Sequence, residues 1–173
     1  MPPVSPEYAI DARGVAAATD APPDATVPRF LAPHYLALAG VAQIALDHFA
    51  PLAVVLHQPW SMLGWLPMLA GIGLQLDAFR RFRARRTPLL PGRPTTALVT
   101  GGVYRFTRNP MYLGMVLILI GGVVIGGSVA PALVPPLFVW IINRRLIRGE
   151  EARLSRQFGD AYADYRRRVR RWI

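Results

Sequence analysis

Four apolar stretches dominate the chain, at residues 35–56, 62–79, 112–130 and 131–147. A helix that crosses a bilayer needs about 20 predominantly apolar residues, within a range of about 17–25. The first three stretches have that length and predict three spanning helices. The fourth reaches it if Asn143, Arg144 and Arg145 extend their polar ends to the membrane surface. Gly121-Gly122 and Gly126-Gly127 would let the third helix approach another backbone closely. Pro131, Pro135 and Pro136 mark the turn into the fourth helix and predict a kink near its start. Asp77 has Arg80 and Arg81 as partners three and four residues on. Asp47-His48 lies deeper in the first stretch. It reads as a substrate-facing pair or as a satisfied helix–helix polar pair.

The flanks differ from these stretches. Residues 1–28 are rich in Pro, Ala and Asp and carry no long apolar run. They read as a flexible N-terminal tail, without the basic-then-apolar order of a signal peptide. Residues 29–173 read as one membrane domain. At the other end, Gly159 can end one helix and Asp160 can cap the next. Tyr162, Tyr165, Val169 and Trp172 then share one helical face. Arg166, Arg167, Arg170 and Arg171 cover much of the remainder. This predicts an amphipathic helix lying on the cytoplasmic leaflet. The expected fold is all-α: a polytopic membrane protein of about four transmembrane helices plus a C-terminal cytoplasmic amphipathic helix.

Composition supports a membrane reading. The 173 residues are 53% hydrophobic and 17% charged, against about 25% charged in soluble domains. Net charge is +10, and all 20 basic residues are arginine. Residues 1–79 hold two Arg against six acids; residues 80–173 hold 18 Arg against four. Such a basic half suits nucleic acid or an anionic membrane surface. The apolar stretches between the arginines argue against nucleic acid. The connections at 57–60 and 126–136 carry no Arg, whereas 80–108 carries eight. The positive-inside rule therefore puts both termini and the central loop on the cytoplasmic side, as in a bacterial inner or plasma membrane. The absence of Cys excludes a disulfide framework, a thiolate metal site and a Cys nucleophile. His34, His48 and His57 are too scattered for a metal site, and none is expected. Gly71-Ile72-Gly73 is no dinucleotide fingerprint, because no strand precedes it and the third glycine is missing.

Candidate chemistry lies in two places. The loop at 87–112 begins with Pro88, Pro91 and Pro94, which favour an extended path. It ends in Arg108-Asn109-Pro110, where Pro110 suits a first helical turn and Asn109 an N-cap. The N-terminus of the following helix favours a carboxylate or phosphate. The second place is Arg144-Arg145-Leu146-Ile147-Arg148-Gly149-Glu150-Glu151. Its charges read as exposed intrahelical ion pairs, worth about 0.3–0.5 kcal/mol each. They also read as a carboxylate and arginines able to hold an amino-acid-bearing cofactor.

LVTGGVYRFTRNPMYLG, a hairpin, and then EEARLSRQFGDAYADYRRRV together resemble the isoprenylcysteine carboxyl methyltransferase and phospholipid methyltransferase superfamily. The resemblance covers about residues 76–173, with the order and spacing of both blocks. It implies an integral membrane methyltransferase that uses S-adenosylmethionine, with the cofactor-binding part at about 87–173. The matching positions for cofactor are Val99, Gly102, Tyr104, Arg108, Asn109, Pro110, Tyr112 and Gly114 in the first block. Glu150 and Glu151 belong to the second, where a glutamate is expected to meet the cofactor's amino group. Asn109 stands where the pattern has His, so a donor remains but not a group that titrates near neutrality. Methyl transfer from a sulfonium is an in-line displacement that needs alignment more than acid–base chemistry. For a carboxylate acceptor, Arg145 and Arg148 are the candidate orienting residues, with Arg168 as a third on the substrate side. For an amine acceptor, Glu151 is the candidate base. The expected acceptor is amphipathic, either a prenylated carboxylate or a membrane lipid, entering between helices. Two alternatives stand beside this reading. One is an NADPH-dependent membrane reductase, since sterol-reductase-like families share a similar terminal region. The other is a non-catalytic module binding lipid or a partner. Oligomeric state is not readable.

Overall fold

The computed structural model describes residues 15–17, 32–84 and 97–173. The elements are β1 (Val15–Ala17), α1 (Ala32–Phe49), α2 (Trp65–Ala84), β2 (Ala97–Val99), α3 (Pro110–Gly126), α4 (Val134–Ile142) and α5 (Arg148–Arg168). A 3-10 turn, Trp60–Gly64, leads directly into α2. The path from Ala130 is helical throughout: a 3-10 turn to Leu133, then α4, a π turn at Asn143–Ile147, then α5. α3 sits centrally, packed against α1, α2 and α4.

All four apolar stretches become helix, but with different ends. The first stops at Phe49 rather than running to 56. Pro51 has no N–H to continue the ladder and disfavours helical geometry before it. The chain then turns extended, and the Val55 and Leu56 amides donate to the Gly127 carbonyl at 2.8 and 3.1 Å. The third stops at Gly126, because Gly127 adopts a left-handed φ of +77° and closes the helix end. Pro135 and Pro136 fall in the first turn of α4. A missing N–H is tolerated there, so they start the helix instead of kinking it.

α2 and α3 meet through glycines on both helices. A Cβ on Gly71 would lie 2.4 Å from the Gly114 carbonyl oxygen, and one on Gly121 would lie 2.6 Å from that of Gly64. The antiparallel helices therefore touch backbone to backbone at two levels. Polar groups in the first helix are satisfied by α3 and the turn after it. Gln43 Nε2 donates to the Leu119 carbonyl at 2.9 Å. Asp47 Oδ1 accepts from Ser128 Oγ at 2.5 Å, so Asp47 is satisfied by the turn after α3. Asp77 pairs with Arg81 at 2.7 Å.

The stretch Trp60–Arg81 is long and apolar enough to cross a membrane, and only 17% of its apolar window is buried. A soluble core helix of that character would be covered. α3 is apolar but has 17 residues. Among the described residues no other helix passes on length and composition together, so full-length crossing by four helices is not established. Leu38, Val41 and Ile44 on α1, Leu66 and Leu69 on α2, and Leu137 and Trp140 on α4 all face outward.

Two expectations about the flanks change. Within the segment expected as a flexible tail, β1 pairs antiparallel with β2, Val15 opposite Val99. The rest of that tail and the prolines at 88, 91 and 94 lie outside the described residues. The last amphipathic segment does not turn its apolar face to lipid. Gly159, at φ +48°, breaks the helix as expected. Tyr162, Tyr165 and Val169 then pack with Leu98 and Phe158 in a buried cluster. Trp172 packs beside Tyr112, Ile142 and Leu146. The chain has its own apolar surface to offer that face, and Arg166, Arg167 and Arg170 stay exposed while Arg171 turns inward.

Candidate active site

Three segments converge at one end of the bundle: the loop entering α3, the π turn with the start of α5, and the extended residues after α5. Pro110 is the first residue of α3 and is fully buried. Asn109 precedes it in the N-cap position, but its side chain caps nothing. Asn109 Nδ2 donates instead to the Arg171 carbonyl at 3.0 Å. Thr107 Oγ1 donates to the same carbonyl at 3.1 Å and accepts from the Asn109 amide at 3.1 Å. The Arg108 amide donates to the Arg170 carbonyl at 3.0 Å. Residues 170–171 thus lie as a strap across the loop that enters α3.

The side chains beneath this strap form two carboxylate centres. Glu151 is buried and meets two guanidinium groups. Arg171 Nε reaches Oε1 at 3.0 Å and Arg171 Nη2 reaches Oε2 at 2.5 Å. Arg108 Nη1 lies 3.2 Å from Oε1, with both side chains only 10% exposed. Arg171 Nη1 also donates to Asn143 Oδ1 at 3.2 Å. The π turn puts Asn143 there, and such turns often mark functional sites. Arg108 Nε and Nη1 are buried without a hydrogen-bond partner.

Glu150 forms the second centre. Its Oε1 accepts from the Tyr112 hydroxyl at 2.8 Å. Burial raises its carboxyl above the usual carboxylate range; the Tyr112 hydrogen bond and the Arg153 charge partly oppose this, and the neighbouring Glu151 charge adds to it. Arg153, one turn further along α5, has its Nε buried without a hydrogen-bond partner. On the far side, the Tyr165 hydroxyl donates to the Tyr104 carbonyl at 2.7 Å. Burial pushes both phenols up, so each stays neutral.

The sequence candidates separate into groups. Arg108, Asn109, Tyr112, Glu150 and Glu151 come together. Tyr104 is buried with Val99 and Ala78 behind them. Gly102, at φ +64°, leaves room for the Arg81 guanidinium, which would overlap any side chain there. Gly114 faces Gly71 across the α2–α3 contact. Arg145, Arg148 and Arg168 are exposed, and Arg168 Nε donates to the Asp164 carbonyl at 3.4 Å. Glu151, a candidate base, has both oxygens taken up by arginine. Sequence reasoning missed Arg171, Asn143 and Arg153. Arg171 looked like one more cation on an amphipathic face, and nothing in the local pattern distinguishes it.

The phospholipid methyltransferase family matches residues 60–161. The chain belongs to that family. The protein-S-isoprenylcysteine O-methyltransferase of Schizosaccharomyces pombe (strain 972 / ATCC 24843) is 36% identical over 72 residues, 42% of this chain and 30% of that protein. The Mus musculus protein of the same name is 39% identical over 75 residues, 43% of this chain and 26% of that protein. The chain thus matches about a third or less of the length of these relatives. The solved eukaryotic intramembrane Ras methyltransferase ICMT (isoprenylcysteine carboxyl methyltransferase) shares the fold, with a TM-score of 0.62 and 24% identity. That alignment covers 84% of this chain and 54% of the other.

Proposed function

We propose that the protein is an integral membrane methyltransferase that moves a methyl group from S-adenosylmethionine to an amphipathic acceptor. The acceptor is an isoprenylcysteine-like carboxylate or a membrane lipid. The observation that carries this reading is the pair of charged centres at the entry to α3. The relatives' printed names and the family description support the reaction class.

The residues fit the donor's amino-acid end. Arg108 offers a buried Nε that lacks a hydrogen-bond partner, while its Nη1 is ion-paired with Glu151, beside a helix N-terminus that favours a carboxylate. Glu150 offers a carboxylate for an ammonium. When bound, the cofactor supplies a sulfonium methyl. A carboxylate acceptor gives up no proton. The protein's work is then alignment, which can supply roughly 7–11 kcal/mol. Tyr112 fixes Glu150, and the strap fixes Arg108. An acceptor carboxylate would be oriented by arginine. Arg145, Arg148 and Arg168 are exposed, while the Arg153 charge acts on Glu150.

The outward apolar faces of α1, α2 and α4 support a membrane location. The arginine-free turns lie at the end of the bundle opposite the site. The site and both termini therefore belong to the cytoplasmic side in the proposed topology.

Calorimetry of the purified protein in detergent tests this reading. S-adenosylhomocysteine should bind and NADPH should not. Binding of NADPH alone would favour a reductase, and binding of neither would leave a lipid-binding module.

A further inference from the structure

Sequence spacing pairs the arginines at 144–148 with the acids that follow, and the fold does not make those pairs. Glu150 turns inward to the Tyr112 hydroxyl, and Glu151 turns inward to Arg108 and Arg171. Arg144, Arg145 and Arg148 stay exposed. No ion pair among the described residues involves any of the three. Three positive charges thus stand close together without an internal counter-charge.

The outer surface of this helical path is graded. Leu133, Leu137, Trp140, Arg144 and Arg148 recur every three or four residues and so share one side. Leu133, Leu137 and Trp140 are exposed, which suits hydrocarbon contact in the proposed membrane placement. Tryptophan is enriched where hydrocarbon meets headgroups. Arg144 Cζ lies 4.7 Å from the centroid of the Trp140 ring, within cation–π range. Arg144 and Arg148 follow Trp140 by about 6 and 12 Å along the helix axis. The headgroup layer is about 5–8 Å deep on each side of a bilayer. With Trp140 at the edge of the hydrocarbon, the arginines reach the level of the lipid phosphates.

We propose that Trp140, Arg144, Arg145 and Arg148 form a binding site for one anionic phospholipid on the outside of α4. The arginines hold its phosphate, and Leu133 and Leu137 lie along an acyl chain. A guanidinium matches phosphate oxygens through two parallel hydrogen bonds. The uncompensated charge selects an anionic headgroup over a zwitterionic one. The aliphatic residues on the same side select a lipid over free phosphate. The site rests on the proposed membrane placement, and not on the identity of the methyl donor. The same turn carries Asn143, whose Oδ1 accepts from Arg171 Nη1 at 3.2 Å. A lipid held on the outer side therefore steadies the turn that supports the strap.

The test uses the full chain in neutral detergent, titrated separately with phosphatidylglycerol, phosphatidylcholine and inorganic phosphate. Native mass spectrometry counts the bound lipid, and the thermal midpoint reports folding and stabilisation. Phosphatidylglycerol should occupy a saturable site and raise the midpoint, and added salt should weaken it. Phosphatidylcholine and inorganic phosphate should do neither. Charge-assisted hydrogen bonds are strong enough that Arg144→Gln/Arg148→Gln should weaken phosphatidylglycerol about tenfold or more. Arg80→Gln/Arg83→Gln removes the same charge from the end of α2 and should change binding less than about twofold. Arg144→Lys/Arg148→Lys keeps the charge without the planar fork and should fall between wild type and the Gln pair. If the Gln pair fails to fold, the Lys pair decides in its place.

The proposal is overturned if the two Gln pairs weaken phosphatidylglycerol equally, since the effect then belongs to a general basic surface. Equal binding of phosphatidylcholine, or equal stabilisation by inorganic phosphate, would overturn it too. S-adenosylhomocysteine binding is measured on the same preparations. A chain that holds phosphatidylglycerol as described but not S-adenosylhomocysteine contradicts the methyltransferase reading and leaves the lipid site standing.

Discussion

Arg171 grips both carboxylate oxygens of Glu151, twenty residues earlier in the chain, at 3.0 and 2.5 Å. This contact ties the end of the described chain to the start of α5. Removing one partner of a buried ion pair leaves the other uncompensated, at a cost of about 3–5 kcal/mol. Glu151→Ala leaves Arg108 buried beside Arg171 with no counter-ion. Its thermal midpoint in detergent should fall clearly below that of Glu150→Ala. Equal midpoints would show that the pair does not hold the strap.

The α2–α3 contact gives a sharp comparison between two neighbouring glycines. A Cβ on Gly71 meets the Gly114 carbonyl oxygen at 2.4 Å, whereas one on Gly73 meets nothing within 4 Å. Forcing extra volume into a packed contact costs about 1–3 kcal/mol. Gly71→Ala should therefore lower the thermal midpoint, and Gly73→Ala should leave it nearly unchanged. A neutral Gly71→Ala would mean that the helices do not touch at this level.

Tyr165 reaches across the loop to the Tyr104 carbonyl at 2.7 Å. Tyr165→Phe keeps the ring and removes this donor, a net loss of about 0.5–1.5 kcal/mol. Hydrogen exchange at residues 102–106 should rise in this variant. Unchanged protection would remove the hydroxyl from the account of how the loop is held.

Glu150 gives a pH dependence with a definite sign. Burial raises its carboxyl above the ordinary value of 4.5. A raised acid favours the protonated folded form, so its contribution to stability is present at low pH. That contribution is lost as pH rises through the raised value. Glu150→Gln should thus stabilise the ligand-free protein at neutral pH, with the gain vanishing near pH 4.5. Ligand binding should run the other way. An ammonium needs the ionised carboxylate, so affinity should fall as pH drops below the raised value. The Gln variant should lack that limb.

Asn109 can be tested by two substitutions. Asn109→Ala removes the donor to the Arg171 carbonyl and should weaken cofactor-analogue binding. Asn109→His restores a donor and should bind better than Asn109→Ala. A result in which Ala and His behave alike would separate this position from the strap.

The sequence showed the helices and the two blocks of the site more clearly than their boundaries. Apolar runs announced four helical segments. Pro51 and Gly127 then decided where two of them stop, and neither signal is visible in hydropathy alone. Gly159 was legible as a break because only a left-handed residue was needed there. The face of Tyr162, Tyr165 and Val169 was legible as apolar, but periodicity does not say what covers it. Here Leu98 and Phe158 do, where lipid was expected. Glu150 and Tyr112 were both named, yet their contact depends on the return of the whole hairpin. Arg171 was hidden for the opposite reason. In a run of arginines, only tertiary contact separates the one that meets Glu151 from those that meet water.

The most direct measurement is labelled methyl transfer from S-adenosylmethionine. Purified protein would be supplied with a membrane lipid extract and, separately, a prenylated cysteine carboxylate. The expected result is label in one amphipathic product, with its mass raised by one methyl group, and loss of that label in Glu150→Gln. No transfer to either acceptor, together with no binding of S-adenosylhomocysteine, would contradict the methyltransferase reading.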